Sequence, residues 1–481
     1  MTSLPELCSK PKYEAIVIGA GPNGLSTGIV LAAAGLSVLI VEARNIIGGG
    51  CRSAALTLPG YIHDICSSIH PLGIGSPYFR TLPLGDCGLK WCEPLAPLAH
   101  PYDNGKAVVV ERSIEETAAQ LEVDERAYLN LLTKPRPDWE IICQALLKPF
   151  EFAFHPINLA RFGLRALLSA EVFARSTFKA SLARGLFAGI AAHGSVPLTE
   201  PMSAATGLVL GMSAHTVGWP TPEGGAQNLS NALARHFENL GGEIVTSYQV
   251  SNLEELPRSR LILCDLTPRQ LIKIAGSRLP AGYSRALASY QYGPAVFKID
   301  WALDGPIPWA SGAVSRAGTV HLGGTMEEIA ESEQDVWLGK HPSKPYVLLA
   351  QNSLFDHTRA PEGKHTAWAY CHVPHGSTVN MIEPIENQIE RFAPGFRKLV
   401  LHRSTMTSKE FEQYNQNCVG GDINGGAILP TQLFTRPVAR AIPYATPVPG
   451  LYICSSSTPP GPGVHGMCGY YAANAALRGW R

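Results

Sequence analysis

Residues Tyr13 to Ile18 (YEAIVI) form a short β-branched run that ends in Gly19-Ala20-Gly21-Pro22-Asn23-Gly24. A small-residue segment with helical character follows, LSTGIVLAAAG, and then a second apolar run, SVLIVE, closing at Glu42. The pattern predicts strand, Gly-rich turn, helix and strand. From Ile114 to about His193 the apolar spacing is helical. Pro222-Glu223-Gly224-Gly225 precedes a further helix, NLSNALARHFENL; the strand EIVTSYQV then ends at Val250, and RLILCD makes another buried strand. Strands dominate from Ala295 to His372: VFKIDWAL, PYVLLAQ and TAWAYCH. In TAWAYCH, alternation puts Trp368, Tyr370 and His372 on one face and the small Ala367, Ala369 and Cys371 on the other. An aromatic face of this kind suits either the wall of an apolar substrate chamber or ordinary core packing. At the C-terminal end, LYIC is a strand, 456–463 a Gly/Pro loop, and a helix begins at about His465.

The first unit carries chemistry. Its glycines allow a tight turn and close backbone approach to a pyrophosphate, which then sits on the helix N-terminus. Glu42, 18 positions after Gly24, is placed to accept the ribose hydroxyls of an adenosine, and its charge disfavours a 2′-phosphate and hence NADP.

Composition narrows the partners. The chain has 481 residues, 45% hydrophobic and only 16% charged, with 39 basic and 39 acidic side chains cancelling to zero. This excludes a disordered chain and removes the electrostatic footprint of a nucleic-acid binder. Gly 47 and Pro 38 imply many tight turns. Eleven cysteines without a CxxC pair, behind a charged N-terminus lacking an apolar leader, predict reduced thiols and a cytoplasmic protein. Ile29 to Val41 is too short to span a bilayer. Between Lys148 and Arg184 six basic residues face two acids, which suits a helical cap over a ligand site or, alternatively, contact with a membrane surface. Cys371, His372 and His375 suggest a metal, but period-two geometry turns Cys371 away from His372, and no metal is expected.

Past Glu42 the chain reads Ala43-Arg44-Asn45-Ile46-Ile47-Gly48-Gly49-Gly50. Here it resembles the flavoprotein superfamily of amine oxidases and phytoene desaturases, whose E-x5-G-G signature brings a second backbone loop to FAD. The resemblance implies cofactor contacts at Gly48, Gly49, Gly50 and Cys51. Gly50 stands where many amine oxidases have Arg, which leaves Arg44 or Arg52 as the nearby cation. It also implies an adenine contact through Val250 and a flavin-facing helix N-terminus at Val464, His465, Gly466 and Met467, whose dipole would stabilise reduced flavin. Ser455-Ser456 replace the acid that many members place beside the ribityl chain. The run GLYICSSSTPPGPGVHGMCGYYAANAAL (450–477) is similar to the C-terminal motif of the phytoene desaturase and carotenoid isomerase family. It is closer still to a branch of FAD-dependent oxidoreductases that includes pyridine nucleotide-disulphide oxidoreductase domain-containing proteins. Further similar segments are DICSSIHPL (64–72), CDLTPRQL (264–271), FKIDWALDGPIPW (297–309) and QNCVGGDINGG (416–426). A dithiol reductase is disfavoured: the partner position for Cys51 is Leu56, and Cys87 and Cys92 lie elsewhere.

The expectation is an α/β chain: a Rossmann-like FAD-binding domain from 1–100, 205–275 and 425–481, with an inserted α+β substrate domain from 101–204 and 276–424, made of antiparallel sheet plus helical cap. Hydride would pass from an apolar, polyene or terpenoid, substrate to flavin N5. With one dinucleotide unit, electrons would leave to oxygen, a quinone or a carrier protein. Candidates for the base are His465, His372, Asp64 and His70, each with a capping or hydrogen-bonding alternative. Other readings are an isomerase without net redox, an amine oxidase-like enzyme, and a prenyl-binding interaction protein like the Rab GDP-dissociation inhibitors.

Overall fold

The computed structural model describes residues 4–149 and 162–480. β1 (Ala15–Ile18) leads through the glycine turn into α1 (Pro22–Ala33) and on to β2 (Val38–Val41). Both strands are wholly buried, which explains their unbroken apolar character. Gly28 lets α1 lie tight on the sheet: a Cβ there would stand 2.7 Å from Ile40 Cδ1. Next come β3 (Ala96–Pro101) and β4 (Ala107–Val110), then α2 (Trp139–Leu146), α3 (Ser181–Ala191) and α4 (Ser203–Thr216). The chain returns through α5 (Gln227–Asn239), β5 (Glu243–Val245) and β6 (Leu261–Cys264). β7 (Ala295–Leu303), β8 (Ala317–Leu322), α6 (Met326–Trp337), β9 (Val347–Ala350), β10 (His365–Val373) and β11 (Val400–Met406) follow. β12 (Leu451–Ile453) and α7 (Met467–Trp480) close the chain.

Two large sheets result. The first is five-stranded and parallel, in the order β12-β6-β1-β2-β5. The second has seven strands, β11-β7-β10-β9-β8-β3-β4, antiparallel except where β8 runs parallel to β3. Alternation in β10 is realised: Trp368 and Tyr370 join the core that contains α3 and α4. Ala367, Ala369 and Cys371 join a second core with Phe297, Ile299 and Trp301.

Several boundaries differ from those expected. Residues 96–101 belong to the seven-stranded sheet, because both edges of β3 find partners there. Residues 205–216 are part of α4, which packs with α3 rather than on the parallel sheet. The strand expected to reach Val250 stops at Val245. Ser247 takes a positive φ of 61°, and the Tyr248 N–H turns back to the Glu42 carbonyl at 3.0 Å. The last helix starts at Met467, since Gly466 has a φ of 69° and His465 Nδ1 accepts the Met467 N–H at 3.0 Å.

In the basic stretch, Arg161 lies outside the described residues. Arg175 pairs with Glu171 and Glu327 at 2.9 and 3.1 Å, and Arg184 donates to the Phe178 carbonyl. No helix among the described residues is long and apolar enough to cross a membrane.

Candidate cofactor and substrate cavity

The chain leaves β1 toward β2 on one side and reaches β6 on the other, so a crevice opens at the carboxyl ends of β1 and β6, where ligands of doubly wound sheets bind. The glycine turn forms its floor. Gly19 has a φ of 104°, and a Cβ at Gly24 would lie 2.0 Å from the Gly19 carbonyl oxygen. Gly48 and Gly49 stack on this turn: the Gly48 N–H donates to the Ala20 carbonyl at 2.8 Å, and a Cβ on Gly49 would stand 3.0 Å from Gly21 Cα. The two glycine segments thus form one backbone cradle. α1 begins at Gly21 with no side-chain cap, and the buried Asn23 Oδ1 in its first turn has no hydrogen-bond partner among the described residues.

A cavity of about 1010 Å³ starts at this cradle and runs to the aromatic face of β10. Gly21, Pro22, Asn23, Gly49, Gly50 and Cys51 line one end, and Ser456 and Val464 border it from the C-terminal loop. Trp219, Trp368, Tyr370 and Leu348 line the other, with α2 and α4 contributing Leu146, Val209 and Leu210. This is at the upper end of the roughly 300–1,000 Å³ of a small-molecule site.

The remaining expected contacts sit behind that wall. Gly19, Gly24 and Gly48 shape the cradle from beneath. Ala43 and Arg44 are exposed. Glu42 is buried and off the wall; its carboxylate accepts from the Ala20 and Arg44 N–H groups at 2.9 Å and pairs with Arg52 at 3.0 Å. Of the two candidate cations, Arg52 is therefore the buried one. Val250 packs in the core below β2. Ser455 donates to the Leu266 carbonyl at 2.8 Å. Gly466 and Met467 are buried behind the wall, with Gly466 against Ser26 and Phe79.

The four candidate bases separate in the same way. His70 is on the cavity wall; burial holds its imidazole down at about 4, so it is neutral at neutral pH, and Ser67 Oγ lies 2.8 Å from Nε2. Burial likewise lowers His465 to about 4, and its Nδ1 caps α7. Asp64 is a buried structural anion. Burial opposes its charge, but Arg359 at 3.1 Å and the Ser68 and Ser53 hydroxyls outweigh this and hold it below the usual carboxylate range. His372 lies behind Tyr370 with both ring nitrogens engaged.

The wall's acidic residue has no counterpart in the sequence-based expectations. Asp265 follows β6, is buried, and accepts the Gly24 N–H at 3.0 Å on Oδ2. Burial pushes this carboxyl up to about 7, against the Gly24 N–H that favours its ionised form. Its signal was positional, an acid directly after a strand neighbouring β1.

Residues 17–82 match the NAD(P)-binding Rossmann-like domain family. The chain carries a Rossmann-like dinucleotide-binding unit. It is 28% identical to mouse pyridine nucleotide-disulfide oxidoreductase domain-containing protein 2, over 98% of this chain and 94% of the relative. Phytoene desaturase of Fusarium fujikuroi is 24% identical over 76% of this chain and 67% of its own. Among solved structures, an oxidoreductase from Methanosarcina mazei superposes with a TM-score of 0.67 at 18% identity, covering 96% and 99% of the two chains. Putrescine oxidase superposes at 0.62 and 17%, covering 97% and 98%. The two-sheet α/β architecture is shared with both.

Proposed function

We propose that this protein is an FAD-dependent oxidoreductase of the desaturase, dehydrogenase or oxidase kind, acting on an apolar substrate of polyene or terpenoid character. The observation that carries this reading is the single cavity joining the glycine cradle to the aromatic wall, which offers a dinucleotide and an apolar molecule a common chamber. The uncapped start of α1 and the side-chain-free cradle fit a dinucleotide. Bound FAD would supply a hydride acceptor. The chain's residues do the rest: the two glycine segments hold the cofactor, Trp368 and Tyr370 orient the substrate and exclude water, and neutral His70 is placed on the wall to take a proton. The relatives named phytoene desaturase and oxidoreductase support the reaction class. An apolar substrate is favoured over an amine because the wall's carboxylate, Asp265, sits at the cradle end rather than among the aromatics. Oxygen, a quinone or a carrier protein would take the electrons, and exposed Leu164, Leu167 and Val172 in the basic segment support access from an apolar surface such as a membrane.

The test is the visible spectrum of the purified protein. A yellow protein that bleaches anaerobically with polyenes or terpenoids, and not with amines, is expected. Colourless protein that takes up no added FAD overturns the reading.

A further inference from the structure

Ser195, His372 and Glu333 come from three separate elements and meet beside the cavity. Ser195 follows the 3-10 turn Ala192–Gly194 at the end of α3, Glu333 is on the buried face of α6, and His372 is on β10. Ser195 Oγ lies 3.0 Å from His372 Nε2, and His372 Nδ1 lies 2.8 Å from the Glu333 carboxylate. The carboxylate accepts the proton on Nδ1, which leaves the Nε2 lone pair to accept the Ser195 hydroxyl proton. Asn424 Nδ2 donates to Ser195 Oγ at 3.3 Å. The hydroxyl oxygen is thus turned with its proton toward a base and a donor at its lone pair. This is the order nucleophile, base, orienting acid that activates serine for acyl transfer.

Three further features separate this array from a polar knot that merely joins the elements. Ser195 holds a φ of 53°, a left-handed conformation that strains a non-glycine residue, and such strain gathers at functional sites. Trp337 Nε1 fixes it by donating to the Ser195 carbonyl at 3.1 Å. Finally, the array borders the chamber: His193 and Gly194, just before the serine, and Asn424, in contact with its hydroxyl, all line the cavity.

We propose that Ser195, with His372 as base and Glu333 as orienting acid, forms an acyl-transfer site that hydrolyses carboxylic esters with an apolar acyl chain. Ser195 Oγ bonds to the ester carbonyl carbon while its proton passes to His372 Nε2. The bond from that carbon to the alcohol oxygen breaks, and the alcohol leaves with the proton. Water then attacks the acyl-serine with the same base, releasing a carboxylic acid and restoring the hydroxyl. Asn424 Nδ2 is the side-chain donor available to the developing oxyanion. Nothing is oxidised or reduced, and the site is independent of the cofactor reading.

The full-length protein as purified is treated with an alkyl fluorophosphonate and mapped by peptide mass spectrometry, and p-nitrophenyl octanoate hydrolysis is followed in parallel. An adduct on Ser195 is expected. Its rate of formation should fall about 100-fold or more in His372→Gln, the scale of general-base assistance. Ser195→Gly should give no adduct and no esterase activity while melting no lower than wild type, because glycine accepts the left-handed conformation. Folded wild-type protein that takes no adduct on Ser195 overturns the proposal, as does ester hydrolysis unchanged in Ser195→Gly.

Discussion

Asp265 places a second anion where the fold gathers backbone N–H groups for one. In the folded protein its carboxyl titrates near 7, against 3.8 ordinarily. Between these values the folded chain keeps a proton that the unfolded chain has released, so stability falls as pH rises from about 4 to about 7. Between pH 5 and pH 8 the drop should be about 2–3 kcal/mol, because stability falls by ~1.4 kcal/mol for each pH step between 5 and 7. Urea denaturation of the apoprotein at pH 5 and pH 8 measures it, and Asp265→Asn should flatten the dependence. The same substitution should tighten FAD binding about 10-fold at pH 8 and little at pH 5.5, because the neutral form already predominates there. Equal affinity of both proteins at pH 8 would count against a competing anion. By contrast, Arg52 and Glu42 neutralise one another, and removing either leaves a buried charge at a cost of about 3–5 kcal/mol.

At the scale of elements, the cradle depends on how closely α7 approaches α1. Gly469 faces the first turn of α1, and a Cβ on it would lie 2.0 Å from the Asn23 carbonyl oxygen. Gly469→Ala must push the two helices apart and carry Asn23 away from the cavity. A loss of about 1–3 kcal/mol is expected, the usual cost of overpacking, together with weaker FAD retention during gel filtration. Unchanged retention would show that helix contact does not set the cradle. The elements themselves were largely legible from the chain. Period-two alternation predicted the two faces of β10, and short unbroken apolar runs located β1, β2 and β6, closed by Gly19, Glu42 and Asp265. The termini were less legible, since Ser247 leaves its strand to bond the distant Arg44 carbonyl and Gly466 takes a left-handed conformation packed against Ser26 and Phe79.

For the whole molecule, one cavity is bounded by the seven-stranded sheet and by the loops that leave the five-stranded one. FAD at 100 times its Kd should add about 2.7 kcal/mol to stability. Calorimetry should then show the unfolding of both modules shifting upward together; a shift confined to one of two transitions would mean that the cofactor touches only one.

The sequence by itself determined the strand–glycine–helix–strand unit and the apolar and aromatic faces. These depend on neighbours along the chain: a turn needs its glycines in order, and a sheet face needs alternate residues. The tertiary structure alone decided that His70 is on the cavity wall while His372 and His465 lie behind it, that the guanidinium paired with Glu42 is that of Arg52 rather than Arg44, and that Asp265 faces the glycine turn. It also brought Ser195 to His372 and Glu333, each more than a hundred residues of chain away from it. No local spacing encodes such meetings, because they follow from which strands pair and which helices cover them.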